Sequence, residues 1–284
     1  MKNEKNILII GASGLIGEHT YNLLKSEGKE VIGTYNKNKR EGLIHFNLVD
    51  SSLSSLPLEK ISHALICSAI TNLDECKKNP EHSHEVNVKG IERIISDLIQ
   101  REILPIFISS GAIFDGIKGG YKEDSERNPI SLYGKQKVEV ENFITSNTED
   151  YLIIRPGKIC DFHKLFSDWF ERYKKGDTIL CANDEKQSFT SPKDIARAID
   201  LLIEKNSRGI YHLNQPNSCS RFELATKFFE DFGIQDAKIK GCSLDDFGGE
   251  KRAKCSFMDA SKFIQETGFE FTSIKEYYKS IDTI

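Results

Sequence analysis

No stretch of this chain comes near the ~20 consecutive apolar residues that a helix needs to cross a bilayer, so no membrane partner is expected. Nor is there a basic block. Lys and Arg number 39 against 43 Asp and Glu, a formal net charge of −4, and so mildly acidic a chain offers nucleic acid no general field to follow. The seven cysteines are an odd count, widely spaced and without a CxxC pair. They read as reduced thiols rather than a disulfide frame or zinc site, which predicts no metal and a cytoplasmic setting. No leader is read at the N-terminus, where Met1 to Asn6 run straight into a strand. Internal repeats and low-complexity linkers are absent. What is present, 38% hydrophobic and 29% charged residues over 284 positions, is the make-up of a globular chain of one large or two modest domains.

Short apolar runs alternate with helical patterns over the first 155 residues. Ile7–Ile10, Val31–Tyr35, Leu43–Phe46, Ala64–Cys67, Leu104–Ser109 and Tyr151–Ile154 read as strands. Between them, Leu15, Ile16, His19, Leu23 and Leu24 share one helix face, a long helix is predicted over Pro80–Arg101, and another over Ser131–Thr145. Strands apolar on both faces and separated by amphipathic helices predict a parallel sheet covered on both sides. Beyond Pro156 the rhythm loosens. Helices are predicted over Phe162–Lys174, Pro192–Glu204, Arg221–Phe232 and Ile274–Ile281, with a strand at Gly209–Leu213. The fold class is α/β, a Rossmann-type doubly wound parallel sheet with a smaller C-terminal substrate-binding lobe. Residues 1–158 would form the dinucleotide-binding part, residues 159–284 mainly the substrate lobe, and elements near 186–214 would return to the sheet.

Gly11-Ala12-Ser13-Gly14-Leu15-Ile16-Gly17 follows the first strand and opens the first helix. The first glycine permits a tight turn, the second lets a diphosphate approach the backbone, and the third lets helix and strand pack closely. The helix N-terminus then offers unpaired N–H groups to an anion. The end of the second strand, Gly33 to Arg40, holds no acid for ribose hydroxyls. Asn36, Lys37 and Arg40 could instead receive a 2′-phosphate, which favours NADP (as NADPH) and leaves NAD allowed. An ordinary solvated charge run is the plainer reading of the same stretch.

Tyr133 and Lys137 stand i and i+4 on a helix, hence on one face. A phenol titrates near ~10, and a neighbouring ammonium is expected to lower it so that it can exchange protons at neutral pH. Ser109-Ser110 closes the fifth strand at the end where ligands sit in doubly wound sheets.

With these residues in place, the chain resembles an extended short-chain dehydrogenase/reductase, and more closely the dTDP-4-dehydrorhamnose reductase family. The matching pieces are Gly11–Gly17, Glu85-Val86-Asn87, Ile108–Gly116, Pro129–Lys137 and Ile154-Arg155-Pro156. The resemblance implies Ser110, Tyr133 and Lys137 as the catalytic set. It implies a cofactor site of Gly11, Ser13, Gly14, Leu15, Ile16 and Gly17 with Asn47, Leu48, Cys67, Ser68, Ala69, Asn87 and Arg155. Ser110, Phe114, Lys158, Trp169 and Gln187 are the substrate candidates. The family often has Thr-Asp-Tyr where this chain has Ser110-Gly111-Ala112, which leaves the sugar open. The implied activity is NADPH-dependent reduction of a nucleotide-linked 4-keto-(deoxy)sugar for surface polysaccharide. An epimerase or dehydratase with tightly held NAD, or a non-catalytic regulatory subunit, are the alternatives. A nucleotide sugar is the expected partner, and a homodimer is allowed.

Overall fold

The structure is a computed structural model that describes residues 6–279. Strands in the first half are β1 (Asn6–Ile10), β2 (Val31–Tyr35), β3 (Ile44–His45), β4 (Ile61–Ile66), β5 (Leu104–Ile108) and β6 (Leu152–Pro156). Then come β7 (Lys158–Ile159), β8 (Ile179–Ala182), β9 (Phe189–Thr190), β10 (Gly209–Leu213) and β11 (Ile239–Cys242). The helices are α1 (Leu15–Ser26), α2 (Leu73–Lys78), α3 (Pro80–His84), α4 (Gly90–Gln100), α5 (Leu132–Asn147), α6 (Phe162–Lys174), α7 (Pro192–Glu204), α8 (Arg221–Asp231), α9 (Ser261–Thr267) and α10 (Ile274–Lys279).

Seven strands make one sheet in the order β10-β6-β5-β4-β1-β2-β3, and every pairing is parallel. This is the doubly wound Rossmann-type sheet expected from the alternating pattern. The chain runs outward from β1 to β2 and β3, then crosses back to β4 on the other side. The β1/β4 junction is therefore the switch point, where strand ends diverge and open a crevice. One sheet face packs Ile7, Ile9 and Ile154 against Leu24 of α1, Ile195, Ile199 and Leu202 of α7, and Phe263 of α9. The other packs Leu8, Ile10 and Phe107 against Ile91, Ile95 and Leu98 of α4 and Val140 and Ile144 of α5. A third cluster is aromatic, with Phe166 stacked on Phe228 at 4.7 Å and Trp169 beside both.

Several expectations shift. The third strand pairs over two residues only. The helix expected over Pro80–Arg101 is three pieces on one path, with a widened turn at Glu85–Lys89 between α3 and α4. The end of the last predicted helix, residues 280–281, lies outside the described residues. Helices α2 and α9 and the small parallel pairs β7–β9 and β8–β11 had no strong local pattern. Among the described residues, no helix is long and apolar enough to cross a membrane.

Candidate active site

A cleft of about 930 Å³ opens at the carboxyl ends of the strands, over the switch point. Its near wall is the turn after β1. Gly11 has φ +93°, a left-handed conformation natural only to glycine, and its N–H donates to Thr34 Oγ1 at 3.1 Å. A Cβ at Gly11 would overlap Ser68, and one at Gly17 would overlap the Gly11 carbonyl and sit 2.9 Å from Ala12 Cα. These glycines are what let α1 start so close to β1 and β4. Gly14 caps α1 with no side-chain hydrogen bond, and Gly14, Leu15 and Ile16 line the cleft. The first-turn N–H groups of a 12-residue helix thus meet the crevice without a side-chain cap. That cradle fits the diphosphate of a dinucleotide.

Cys67 and Ala69 line the floor beyond β4. Burial pushes the Cys67 thiol up to about 12, so it is inert there. Asn87 is fully buried in the widened turn below this floor. Its Oδ1 accepts from Ile70 N at 2.8 Å and its Nδ2 donates to Ile70 O at 2.9 Å and to Gln136 Oε1 at 2.8 Å. It holds the floor loop rather than facing the cleft.

The far wall is α5 and the end of β5. Ser110, Tyr133 and Lys137 all line the cleft, and Tyr133 is hydrogen-bonded to Ser110. Ser131 caps α5 by accepting from Gly134 N at 3.2 Å, which fixes the helix start one turn before Lys137. Lys137 Nζ donates to Ile108 O at 2.8 Å and lies 4.5 Å from the centre of the Phe107 ring and 5.6 Å from that of Tyr133. The expected lowering of the phenol by the ammonium is not what this arrangement gives. Burial pushes Tyr133 up, and the Ser110 hydrogen bond only partly offsets it. Burial also pushes Lys137 down, to about 8, against the opposing pull of Cys67, Glu141 and Cys76. Tyr133 is therefore a protonated donor at neutral pH, while Lys137 is the group poised to titrate.

On the C-terminal side, Lys158, Trp169 and Gln187 line the cleft, as expected of them by position. Crowding and the charges of Arg221 and Arg252 lower the Lys158 ammonium. Trp169 is buried in the aromatic core and also borders the cleft. Gln187 is tied to Ser256 Oγ at 2.6 Å and to Ala253 O at 3.2 Å. Arg221, Arg252 and Phe247 complete this end. They come from two separate segments, α8 and the stretch after β11, and carry no spacing that sequence reading could have caught. Arg252 and Phe247 belong to a strap over the cleft mouth. The strap is latched to α2 by Glu250 N donating to Asp74 and by Lys77 paired to Glu250 at 2.6 Å.

Besides Asn87, seven expected contacts are corrected, none of them among the residues lining the cleft. Phe114 is fully buried, stacked on Tyr121 at 4.3 Å, and does not reach the cleft. Arg155 is 1% exposed and bound to Glu141, because a guanidinium at a buried strand end needs a carboxylate partner. Arg40 is paired to Glu18 in the first turn of α1. Asn47 folds onto its own turn, accepting from Val49 N at 3.0 Å and donating to Asp50 at 2.8 Å. Leu48 packs into the core, and its carbonyl takes Arg93. Asn36 and Lys37 are exposed beyond the residues lining the cleft, and Ser13 and Ser68 stand in and beside the glycine turn. Among the described residues no cluster of three His, Cys, Asp or Glu is placed to hold a metal.

The family model of the RmlD substrate binding domain matches residues 5–282. A hypothetical dTDP-4-dehydrorhamnose reductase from Sulfolobus tokodaii superposes with a TM-score of 0.83 at 30% identity, over 95% of this chain and 98% of that one. Methionine adenosyltransferase 2 subunit beta from Xenopus tropicalis is 26% identical over 91% of this chain and 81% of its own length. The spore coat polysaccharide biosynthesis protein SpsK from Bacillus subtilis is 27% identical over 92% of this chain and 91% of its own. With an uncapped helix end facing a Ser–Tyr–Lys wall across one crevice, the chain belongs to the RmlD substrate binding domain family, an extended short-chain dehydrogenase/reductase of the NAD(P)-dependent oxidoreductase type.

Proposed function

We propose that the protein reduces the 4-keto group of a nucleotide-linked (deoxy)sugar with NADPH, making a precursor for surface polysaccharide. The observation that carries this reading is the single cleft in which the α1 cradle, the Ser110–Tyr133–Lys137 wall and the cations Lys158, Arg221 and Arg252 meet. Residues 1–158 would supply the coenzyme half and residues 159–284 most of the sugar-nucleotide half.

The reduced nicotinamide, when bound, supplies the hydride. The protein's own groups manage the oxygen. Ser110 Oγ accepts from Ala112 N at 3.1 Å, and its hydroxyl, hydrogen-bonded to Tyr133, would turn its proton to a bound carbonyl oxygen. Tyr133 OH, protonated and beside it, delivers a proton to that oxygen. Lys137 places a positive charge behind the phenol and steadies the phenolate left after transfer. That charge disappears as pH rises through about 8. The rate constant kcat/KM for the ketone is therefore expected to be flat below this value and to fall above it. Lys137→Arg, which stays charged, should move the fall to higher pH. A profile flat throughout the alkaline range would remove Lys137 from this role.

The reading itself is tested by a screen of NADPH oxidation against several nucleotide-4-ketosugars. A reductase consumes NADPH in proportion to ketone. An epimerase or dehydratase turns over substrate without net NADPH loss. The similarity to methionine adenosyltransferase 2 subunit beta favours one second reading, a regulatory subunit that binds the coenzyme and turns over nothing. The intact Ser110, Tyr133 and Lys137 speak for the reductase.

A further inference from the structure

Glu141 is fully buried on α5, one turn beyond Lys137 and two beyond Tyr133. Its carboxylate gathers four donors. Ser109 Oγ donates to Oε1, Arg155 Nε donates to Oε1 at 3.0 Å, Arg155 Nη2 to Oε2 at 2.7 Å, and Arg127 Nη1 to Oε2 at 3.1 Å. Burial alone would raise this carboxyl, yet Arg155, Ser109 and Arg127 together hold it below its ordinary range, so it is ionised. The residues it ties are the end of β5 and the end of β6. Ser109 N is itself bonded to Ile154 O at 2.7 Å, and Arg155 Nη1 reaches Glu123 O at 2.9 Å.

Three consecutive residues, the last of β5 and the two after it, are thus fastened to three turns of one helix. Ile108 O takes Lys137, Ser109 binds Glu141, and Ser110 bonds Tyr133. Nothing in the reaction itself requires the middle fastening. We propose that Glu141 is a positioning residue: by clamping Ser109 and Arg155 it sets the spacing between Ser110 and Tyr133, and it lays its carboxylate one helical turn from Lys137. The inference rests on the reductase reading for its rate arm and is independent of it for its titration arm. The groups facing Lys137 are Cys67 at the end of β4, Cys76 on α2, and Tyr133 and Glu141 on its own helix, and Glu141 is the carboxylate in that set. Its removal leaves Arg155 and Arg127 uncompensated nearby, which adds to the repulsion on the Lys137 ammonium.

The test uses the full chain with Glu141→Gln. In 13C-lysine NMR without coenzyme, the Lys137 signal, identified by its loss in Lys137→Arg, is expected to titrate at lower pH than in the parent. Glu141→Asp, which keeps the charge, should restore most of that midpoint. With a ketone substrate, Glu141→Gln should lose about 10–100-fold in kcat, as a misplacement near 1 Å does, with KM and NADPH affinity nearly unchanged. The alkaline fall of the rate should move to lower pH with the NMR midpoint. A folded Glu141→Gln with either the parental midpoint or the parental kcat overturns the proposal. If that variant does not fold, Ser109→Ala decides, since it removes only the hydroxyl of the clamp. A several-fold loss of kcat at constant KM is expected, and an unchanged kcat overturns it. If the parent protein reduces no ketone, the reductase reading has failed and the lysine titration alone judges Glu141.

Discussion

Tyr133→Phe is expected to lower ketone reduction by about 10²–10⁴-fold while coenzyme affinity holds, the range typical of losing a positioned general acid. The substitution deletes one oxygen from a side chain that is 8% exposed, so packing survives. The lost hydrogen bond to Ser110 should cost folding stability only about 0.5–1.5 kcal/mol. Ser110 cannot take over as the acid. A serine hydroxyl is a far weaker acid than a phenol, and giving its proton to the new alkoxide would only leave another alkoxide in its place. Stopped-flow NADPH oxidation separates the outcomes, with coenzyme titration run alongside. Turnover within tenfold of the parent would mean that another group delivers the proton, and the Ser–Tyr–Lys assignment would fall.

The second large effect belongs to the glycine turn, and two substitutions read it separately. At Gly17 a methyl group would strike the Gly11 carbonyl and Ala12 Cα, both backbone and unable to swing aside. The start of α1 must move away from β1. Overpacking of this kind costs about 1–3 kcal/mol, and displacing one charge-assisted N–H contact about 1.5–3 kcal/mol more in affinity, or roughly 10–100-fold. Gly17→Ala should therefore lower both the melting temperature and NADPH affinity. At Gly14, with φ −89° and its nearest foreign atom 3.4 Å from an added Cβ, alanine fits the folded chain. Gly14→Ala should melt like the parent yet bind coenzyme more weakly, because its methyl group stands where the diphosphate would approach. If both variants bind NADPH as the parent does, the cradle lies elsewhere.

What could be read from residue order, and what could not, follows from range. The turn at Gly11–Gly17 and the Tyr133/Lys137 pair are local. Backbone freedom and helical repeat fix them within seven residues, and both stand at the cleft. The sheet was legible because strands such as Ile7–Ile10 are apolar at every position, as burial on both faces demands. Arg155 misled for the opposite reason. A guanidinium ending such a strand looks like a ligand group until Glu141, 14 positions earlier on a helix, is seen to claim it. Arg40 is paired with Glu18, 22 positions away, but at the surface, where such a pair is weak. Phe114 was misread as well, since nothing adjacent to it announces Tyr121 as its stacking partner. The cleft's far end, built by Arg221, Phe247 and Arg252, is a product of tertiary folding alone.

The packing of α7 against α1 has a consequence for how this chain is made. Leu24 and the inward faces of β1 and β6 are roofed by Ile195, Ile199 and Leu202 and then by Phe263. The ribosome therefore delivers the nucleotide-cradling strand first and its cover last. A nascent chain halted near residue 158 would carry a bare aliphatic face, and a holding chaperone would find its binding surface there until α7 and α9 emerge.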